Sequence, residues 1–243
     1  SSDKHGFIDW HNMKYLNRAL EPLIEKLESY KLSNNFEQAF FLSATLLEEM
    51  TKAFDFADDS NGDIGYFVDT ALEALHDIVS SDNLDATLKK EIFEYCIQIY
   101  NKKLFSGWDW HLGILEVAEK LVESEKEVDV LISCLQKTKD GYETEAAQVT
   151  ILNLLQKYKT PAEVHQFINK NISNYHIREI EIKRAINDKN FEYAKKLCFD
   201  GIEVDKIDRP GIVIDWYRYL LKIARLENEV SEIIKQATYL FVN

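Results

Sequence analysis

Apolar residues recur along most of the chain at intervals of three and four, the spacing of one face of an α-helix. The clearest stretch runs from Phe36 to Phe54 and carries Ala39, Leu47 and Met50 on a broad apolar stripe. Strand patterns are scarce, because β-branched residues do not alternate over any sustained run. The pattern predicts about twelve helices joined by short loops, and hence an all-α protein.

Prolines mark where several of the predicted helices begin. Pro161 and Pro210 each start a helix, since proline suits the first helical turn. Pro22 lies inside the first helical pattern, from about Asp9 to Tyr30, and is predicted to kink or divide it. Helices joined by short loops pack as antiparallel neighbours. We therefore expect an array of antiparallel helix pairs.

One short motif occurs twice. Residues 35–39 read Asn-Phe-Glu-Gln-Ala, and residues 190–194 read Asn-Phe-Glu-Tyr-Ala. The motif resembles the start of the second helix in tetratricopeptide-type pairs, although no period of about 34 residues is sustained. The predicted fold is a right-handed, tetratricopeptide-like α-solenoid that forms a single elongated domain over residues 1–243. Chance resemblance between two amphipathic helix starts is the alternative.

The net charge of −13 is unevenly distributed. Residues 1–140 contain 14 Lys and Arg against 27 Asp and Glu, whereas residues 141–243 contain 15 of each. This contrast suggests a soft subdivision into an acidic and a neutral half. The negative field repels nucleic-acid phosphates, so direct nucleic-acid binding is not expected. The charge serves either solubility or contact with a basic protein partner.

The cysteines and the hydropathy indicate a cytoplasmic protein. Cys96, Cys134 and Cys198 are far apart and fall in helical apolar patterns, as buried reduced thiols do. The longest apolar run, around residues 40–42, is far shorter than the roughly 20 residues that span a bilayer. Residues 1–11 show no secretory signal. No membrane association is therefore expected.

An acidic loop interrupts the helical pattern at residues 56–65, which read Phe-Ala-Asp-Asp-Ser-Asn-Gly-Asp-Ile-Gly. A calcium loop with Gly62 in sixth place would put Ala57 first and Val68 twelfth, so both essential carboxylates are missing. We therefore assign no metal ligands to a site of that type. Two interpretations remain: the polar side chains cap the next helix while Gly62 takes a positive φ, or they form a binding surface for a partner or a cation. The residues concerned are Asp58, Asp59, Ser60 and Asp63.

Tryptophan provides a second set of candidate binding residues. Three of the four tryptophans follow an aspartate, at residues 9–10, 109–110 and 215–216. Such an aspartate can cap a helix or accept a hydrogen bond from an indole N–H. Trp108 and Trp110 form an aromatic cluster at a predicted helix–helix corner. They either anchor a partner or fill the space between successive helix pairs.

No motif indicates catalysis or a cofactor. The chain has no phosphate-binding loop, dinucleotide-binding turn or nucleophile elbow. Glu73 and His76 match half of a di-iron carboxylate motif, but the partner half is missing. We therefore expect a non-enzymatic scaffold without cofactor that binds a protein partner on its concave face or its acidic half.

Four stretches resemble the helical region that follows the zinc finger in bacterial SWIM-type zinc-finger proteins. They are residues 6–9, 57–65, 189–194 and 210–216, of which the Asp-Asp-Ser-x-Gly part of the loop is distinctive. The finger itself requires a Cys-x-Cys pair followed by Cys-x-His, which this sequence lacks. Zinc binding is therefore not carried over. The resemblance implies an alternative function, an accessory C-terminal module of a SWIM-type protein with an indirect nucleic-acid-related role.

Overall fold

The computed structural model describes residues 6–105, 107–108, 110–138 and 141–242. Over these residues it is all-α, with twelve helices, no strand and one isolated β-bridge between Ile8 and Ala57. This confirms the predicted fold class and the number of helices. The chain divides into two compact units, residues 1–134 and 135–243. The single elongated domain and the subdivision at residues 140–141 stay predictions.

The first unit is built from six helices. Successive helices pack together, α1 on α2, α2 on α3 and α4 on α5, and α3 also contacts both α1 and α5. Consecutive helices thus pack in pairs, as predicted, while their antiparallel direction stays a prediction. The helices are α1 Met13–Leu32, α2 Phe36–Ala53, α3 Asp63–Val79, α4 Ala86–Asn101, α5 Trp110–Lys120 and α6 Glu125–Leu135, whose last residue falls in the second unit.

The second unit is built from six further helices. Each helix packs on the next one in the chain, and α9 also contacts both α7 and α11. Ile182, Leu197 and Trp216 are part of a core cluster shared by α9, α10 and α11. The helices are α7 Gly141–Tyr158, α8 Pro161–Lys170, α9 Tyr175–Asn187, α10 Phe191–Asp205, α11 Pro210–Glu227 and α12 Val230–Val242.

The start of α1 differs from the prediction. Residues 9–12 form a turn in which the Asp9 carboxylate accepts a hydrogen bond from the backbone N–H of Asn12 at 3.0 Å. The helix proper begins at Met13 and continues through Pro22 without a break. Leu20 and Leu27 are buried on either side of this proline. Their packing offsets the lost backbone hydrogen bond, so the predicted division of the helix was wrong, whereas a kink at Pro22 stays a prediction.

The twice-occurring motif marks the same turn in both units. Asn34 and Lys189, directly before the motif, both adopt φ 57°. The N–H of Asn35 then donates to the carbonyl of Tyr30 at 2.9 Å, and the N–H of Asn190 donates to that of Ala185 at 2.8 Å. These bonds close Schellman turns at the ends of α1 and α9. The likeness to tetratricopeptide repeats stays a prediction.

The cysteines are buried free thiols, as expected. Burial raises the pKa of Cys198 to about 12 and also raises that of Cys96, so neither thiol ionises readily. Among the helices that the structure describes, none is long and apolar enough to cross a membrane.

Candidate functional site

The acidic loop connects α2 to α3 and is held by its own side chains. Asp59 accepts a hydrogen bond from the backbone N–H of Ile64 at 2.5 Å and a weaker one from Gly65 at 3.4 Å. Gly62 adopts φ 74° immediately before the helix, where a side chain would be strained. The predicted capping is therefore confirmed for Asp59 and the predicted backbone conformation for Gly62.

The other acidic residues of the loop have different partners. Asp58 accepts hydrogen bonds from the hydroxyl of Ser60 and from its backbone N–H, at 2.8 Å for the latter, and these bonds lower the pKa of Asp58. Asp63 accepts a bond from the amide of Asn17 at 2.6 Å, which ties the loop to α1. Among the described residues, the hydrogen-bond donors to Asp58 and Asp63 are Ser60 and Asn17, so neither carboxylate caps α3.

Backbone bonds attach the loop to the segment before α1. The N–H of Ile8 donates to the carbonyl of Phe56 at 2.8 Å, and the N–H of Asp58 donates to the carbonyl of Ile8 at 2.9 Å. Ala57, between these two bonds, is buried. These two bonds and the burial of Ala57 hold the start of the loop against the segment before α1.

The two tryptophans form a stack with a residue from the end of α2. The rings of Phe54 and Trp108 are stacked with centroids 4.4 Å apart, and those of Trp108 and Trp110 are stacked at 5.0 Å. The indole N–H of Trp110 donates to the carboxylate of Asp69 on α3 at 2.6 Å. Trp108 is 42 % exposed. Asp109, predicted to cap α5, lies outside the described residues.

The structure brings the two predicted sets of site residues together. A Cβ placed on Gly65 would lie 3.6 Å from a carboxylate oxygen of Asp59 and 3.9 Å from the ring of Trp110. In the described part of the chain, no three His, Cys, Asp or Glu side chains are grouped so that they could hold a metal ion. The loop and the stack mainly connect α2, α3 and α5. Ligand binding by Asp58, Asp59, Ser60, Asp63, Trp108 and Trp110 stays a prediction.

A groove that sequence reasoning missed runs between α2 and α4, with a volume of about 650 Å³. The rings of Phe40 and Tyr95 meet edge to face within it, at 5.4 Å between centroids. The Tyr95 hydroxyl donates to the carbonyl of Ala44 at 3.2 Å and so bridges the two helices. The lining residues are Phe40, Phe41, Ala44, Thr45, Glu48 and Glu49 from α2, and Glu91, Glu94, Tyr95 and Gln98 from α4.

Phe41 is the most unusual residue of this groove. It lies in the second turn of α2 and is 72 % exposed, whereas the adjacent Phe40 is buried. A second concavity of about 400 Å³, lined in part by Leu23 and Tyr30 of α1, shares Phe40, Phe41 and Glu91 with the first. An exposed aromatic ring between two concavities is typical of a contact surface. Its position off the apolar stripe of α2 is the sequence signal that could have revealed it.

The two concavities are strongly acidic. Among the described residues that line them, Lys26 is the one cation against five glutamates. Glu49 pairs with Lys52 at 2.7 Å and Glu94 with Lys90 at 3.8 Å. Glu48 and Glu91 form no ion pair with any described residue. Their charge is therefore available to a partner.

The charge of the groove affects Tyr95. Burial raises the pKa of its hydroxyl, and the negative charge of Glu48 raises it further. Tyr95 therefore stays neutral over the whole physiological range and serves as an apolar surface with one hydrogen-bonding end.

No protein-family model matches the chain, and a comparison with curated proteins finds no match. The resemblance to the helical region of SWIM-type proteins thus stays a prediction.

Proposed function

We propose that the chain is a non-enzymatic helical-repeat module that binds another protein through the groove between α2 and α4. The observation that carries this proposal is the 72 % exposure of Phe41 between two concavities lined by glutamates. Burying a large apolar ring against a partner removes its surface from water and so contributes binding free energy. Stacked helices offer such concave surfaces, and binding proteins built from helical arrays use them.

Phe41 and Tyr95 have the character of interface anchors. Aromatic residues carry much of the binding free energy of protein interfaces when a partner buries them. Tyr95 is held in place by its bond to Ala44 and its contact with Phe40, so part of the surface is organised before a partner arrives.

The proposal is tested by capture from native lysate with chemical cross-linking. Phe41→Ser removes the exposed ring, and because that ring is exposed, we expect the free energy of unfolding to change by less than about 0.5 kcal/mol. Ile207→Ser is the matched control, since Ile207 is 80 % exposed in the second unit. We expect cross-links from α2 or α4 to a captured protein, lost with Phe41→Ser and kept with Ile207→Ser. Cross-links confined to other helices would contradict the proposal.

The surface that the sequence predicted is a second candidate for the same function. Trp108 is partly exposed beside the acidic loop, and Phe56 within the loop is 45 % exposed. The cross-linking experiment separates the two surfaces, because loop residues 54–62 and helices α2 and α4 give different peptides.

A further inference from the structure

We infer that the occupant of the groove is a basic amphipathic helix, whose apolar side contacts Phe40, Phe41 and Tyr95 while its Lys or Arg residues reach Glu48 and Glu91. This inference rests on the proposed function and names the class of partner. Three features of the groove support it: its walls, its charge and its length.

The walls favour a helix as occupant. α2 and α4 are helical along the whole groove, so their backbone N–H and C=O groups are used within each helix. An extended peptide would find no strand edge there to complete its own backbone hydrogen bonds. A helix satisfies its own backbone and offers side chains alone. Ridges of side chains on such a helix fit between two helices as in ordinary helix packing.

The charge selects a basic partner. Glu48 and Glu91 lie on opposite walls of the groove and form no ion pair with any described residue. The pairs that Glu49 and Glu94 form with lysines are largely exposed and can exchange for pairs with a partner at little cost. An acidic segment or a nucleic acid would meet like charge from both walls.

The length of the groove sets the size of the occupant. Lining residues of the groove on α2 extend from Phe40 to Glu49, which at the helical rise corresponds to about 14 Å. A helix of two to three turns covers this distance. Phe41 lies at the end of the groove that adjoins the second concavity, where it can contact an apolar residue of the partner.

The test uses a synthetic peptide of about 18 residues, with Leu on one helical face and Lys on the other, labelled with a fluorescent dye. Binding to the full chain is followed by fluorescence anisotropy. We expect Phe41→Ser to raise Kd about tenfold. We expect a similar rise for the double substitution Glu48→Gln with Glu91→Gln, measured at low salt.

Matched controls separate groove binding from general attraction to an acidic protein. Glu21→Gln with Glu116→Gln removes the same charge from exposed positions of the first unit outside the groove, and we expect Kd to stay within about twofold of wild type. A scrambled peptide of equal charge, with Leu spread around the helix, should bind at least about tenfold more weakly. A peptide with Glu in place of Lys should not bind.

Several outcomes would overturn the inference. Equal affinity for wild type and both groove variants would mean that the peptide binds elsewhere. No binding of the basic peptide, together with cross-links from α2 or α4 to a captured protein, would refute the basic helix and leave the proposed function standing. Concentration-dependent dimerisation in light scattering that Phe41→Ser abolishes would instead make a second copy of the chain the occupant. If the basic peptide does not bind and no cross-links from α2 or α4 to a captured protein form, the proposed function fails together with the inference.

Discussion

At the scale of single residues, Trp216 shows how a buried polar atom is satisfied. It is fully buried, and its indole N–H donates to Asp205 at 2.7 Å. A guanidinium nitrogen of Arg178 lies 3.7 Å from the same carboxylate, and one of Arg209 lies 2.9 Å from its other oxygen. Arg209 also pairs with Glu145 at 2.9 Å. This network connects α7, α9, α10 and α11, because its members come from all four helices or their ends.

The sequence suggested that an aspartate accepts a hydrogen bond from a tryptophan N–H, and the structure shows such bonds with aspartates other than the preceding residue. Asp215 directly precedes Trp216 but pairs with Arg218 at 2.7 Å, while the indole N–H bonds to Asp205, eleven residues earlier. Trp110 likewise bonds to Asp69 on another helix. A helix directs successive side chains to different faces, so a neighbour in sequence is rarely a partner in space.

Gly201 provides a sharp test of packing around this network. A Cβ at Gly201 would lie 2.8 Å from the Trp216 indole nitrogen and 3.0 Å from a nitrogen of Arg178. We expect Gly201→Ala to lower the free energy of unfolding by about 2 kcal/mol, although alanine favours helices more than glycine does. Gly211→Ala is the control, because nothing lies within 4 Å of its Cβ. Urea denaturation measures both, and equal stability of the two variants would contradict the packing.

His76 makes the stability of the first unit depend on pH. Burial and the charge of Lys120 lower its pKa in the folded chain, against the opposing effect of Glu116, Asp77 and Glu73. As pH falls below the ordinary value of 6.5, His76 becomes protonated in the unfolded chain while it is still neutral in the folded chain. The contribution of neutral His76 to the free energy of unfolding is therefore fully present above pH 6.5 and is lost as pH falls through the lower pKa of the folded chain.

The measurement is the urea midpoint of wild type and His76→Gln at a series of pH values between about 7 and 5.5. We expect the wild type to lose more stability over this interval than the variant does. Parallel curves for the two proteins would show that another group causes the pH dependence.

At the scale of the elements, several helices end in a turn with a positive backbone φ. Four residues other than glycine adopt a positive φ in the described part of the chain, and each follows a helix end. They are Asn34, Lys103, Lys189 and Asn228. After each of them, the backbone N–H of the next residue donates to a carbonyl five positions earlier, which closes a Schellman turn. Lysine has no preference for a positive φ, so in the two lysines the turn imposes it.

Lys189 is exposed, so its backbone strain can be tested without disturbing the core. We expect Lys189→Gly to stabilise the protein by about 0.5 kcal/mol or more, because glycine adopts φ 57° without strain. Lys196→Gly, at an exposed position inside α10, should instead destabilise it by about 1 kcal/mol. Thermal unfolding of the two variants decides, and a loss of stability in both would show that Lys189 is not strained.

At the scale of the whole molecule, the chain is made of two units that differ in charge. Residues 1–134 contain 12 Lys and Arg against 26 Asp and Glu, whereas residues 135–243 contain 17 against 16. The acidic groove belongs to the first unit and the buried network around Asp205 to the second. The unit that contains the groove therefore carries the net negative charge, and the other unit is nearly balanced.

Each unit has its own core, so damage to one core should remain in that unit. Asp205→Asn leaves the buried guanidinium of Arg178 without its counter-charge, and we expect a loss of about 3 kcal/mol. Hydrogen exchange followed by mass spectrometry should show faster exchange in α7–α12 and no change in α1–α5. Asp208→Asn, at an exposed position, serves as control. Faster exchange in both units would mean that they unfold together.

The sequence by itself determined the local features of this protein. Helix periodicity, turn residues and the capping of α3 by Asp59 depend on residues a few positions apart, and their physics acts within one or two turns of chain. For the same reason the twice-occurring motif indicated two similar helix starts. The unbroken passage of α1 through Pro22 was not predictable in this way, because distant packing outweighs a local penalty.

Only the tertiary structure decided which surfaces exist. The groove joins Phe41 to Tyr95 across 54 positions of sequence, and no local pattern states that α2 and α4 lie side by side. The same holds for Gly65, which lies between Asp59 and the ring of Trp110, and for Asp205, which accepts the indole N–H of Trp216. Burial, charge pairing and ring contacts arise between residues far apart in the chain, so their partners are set when the helices pack.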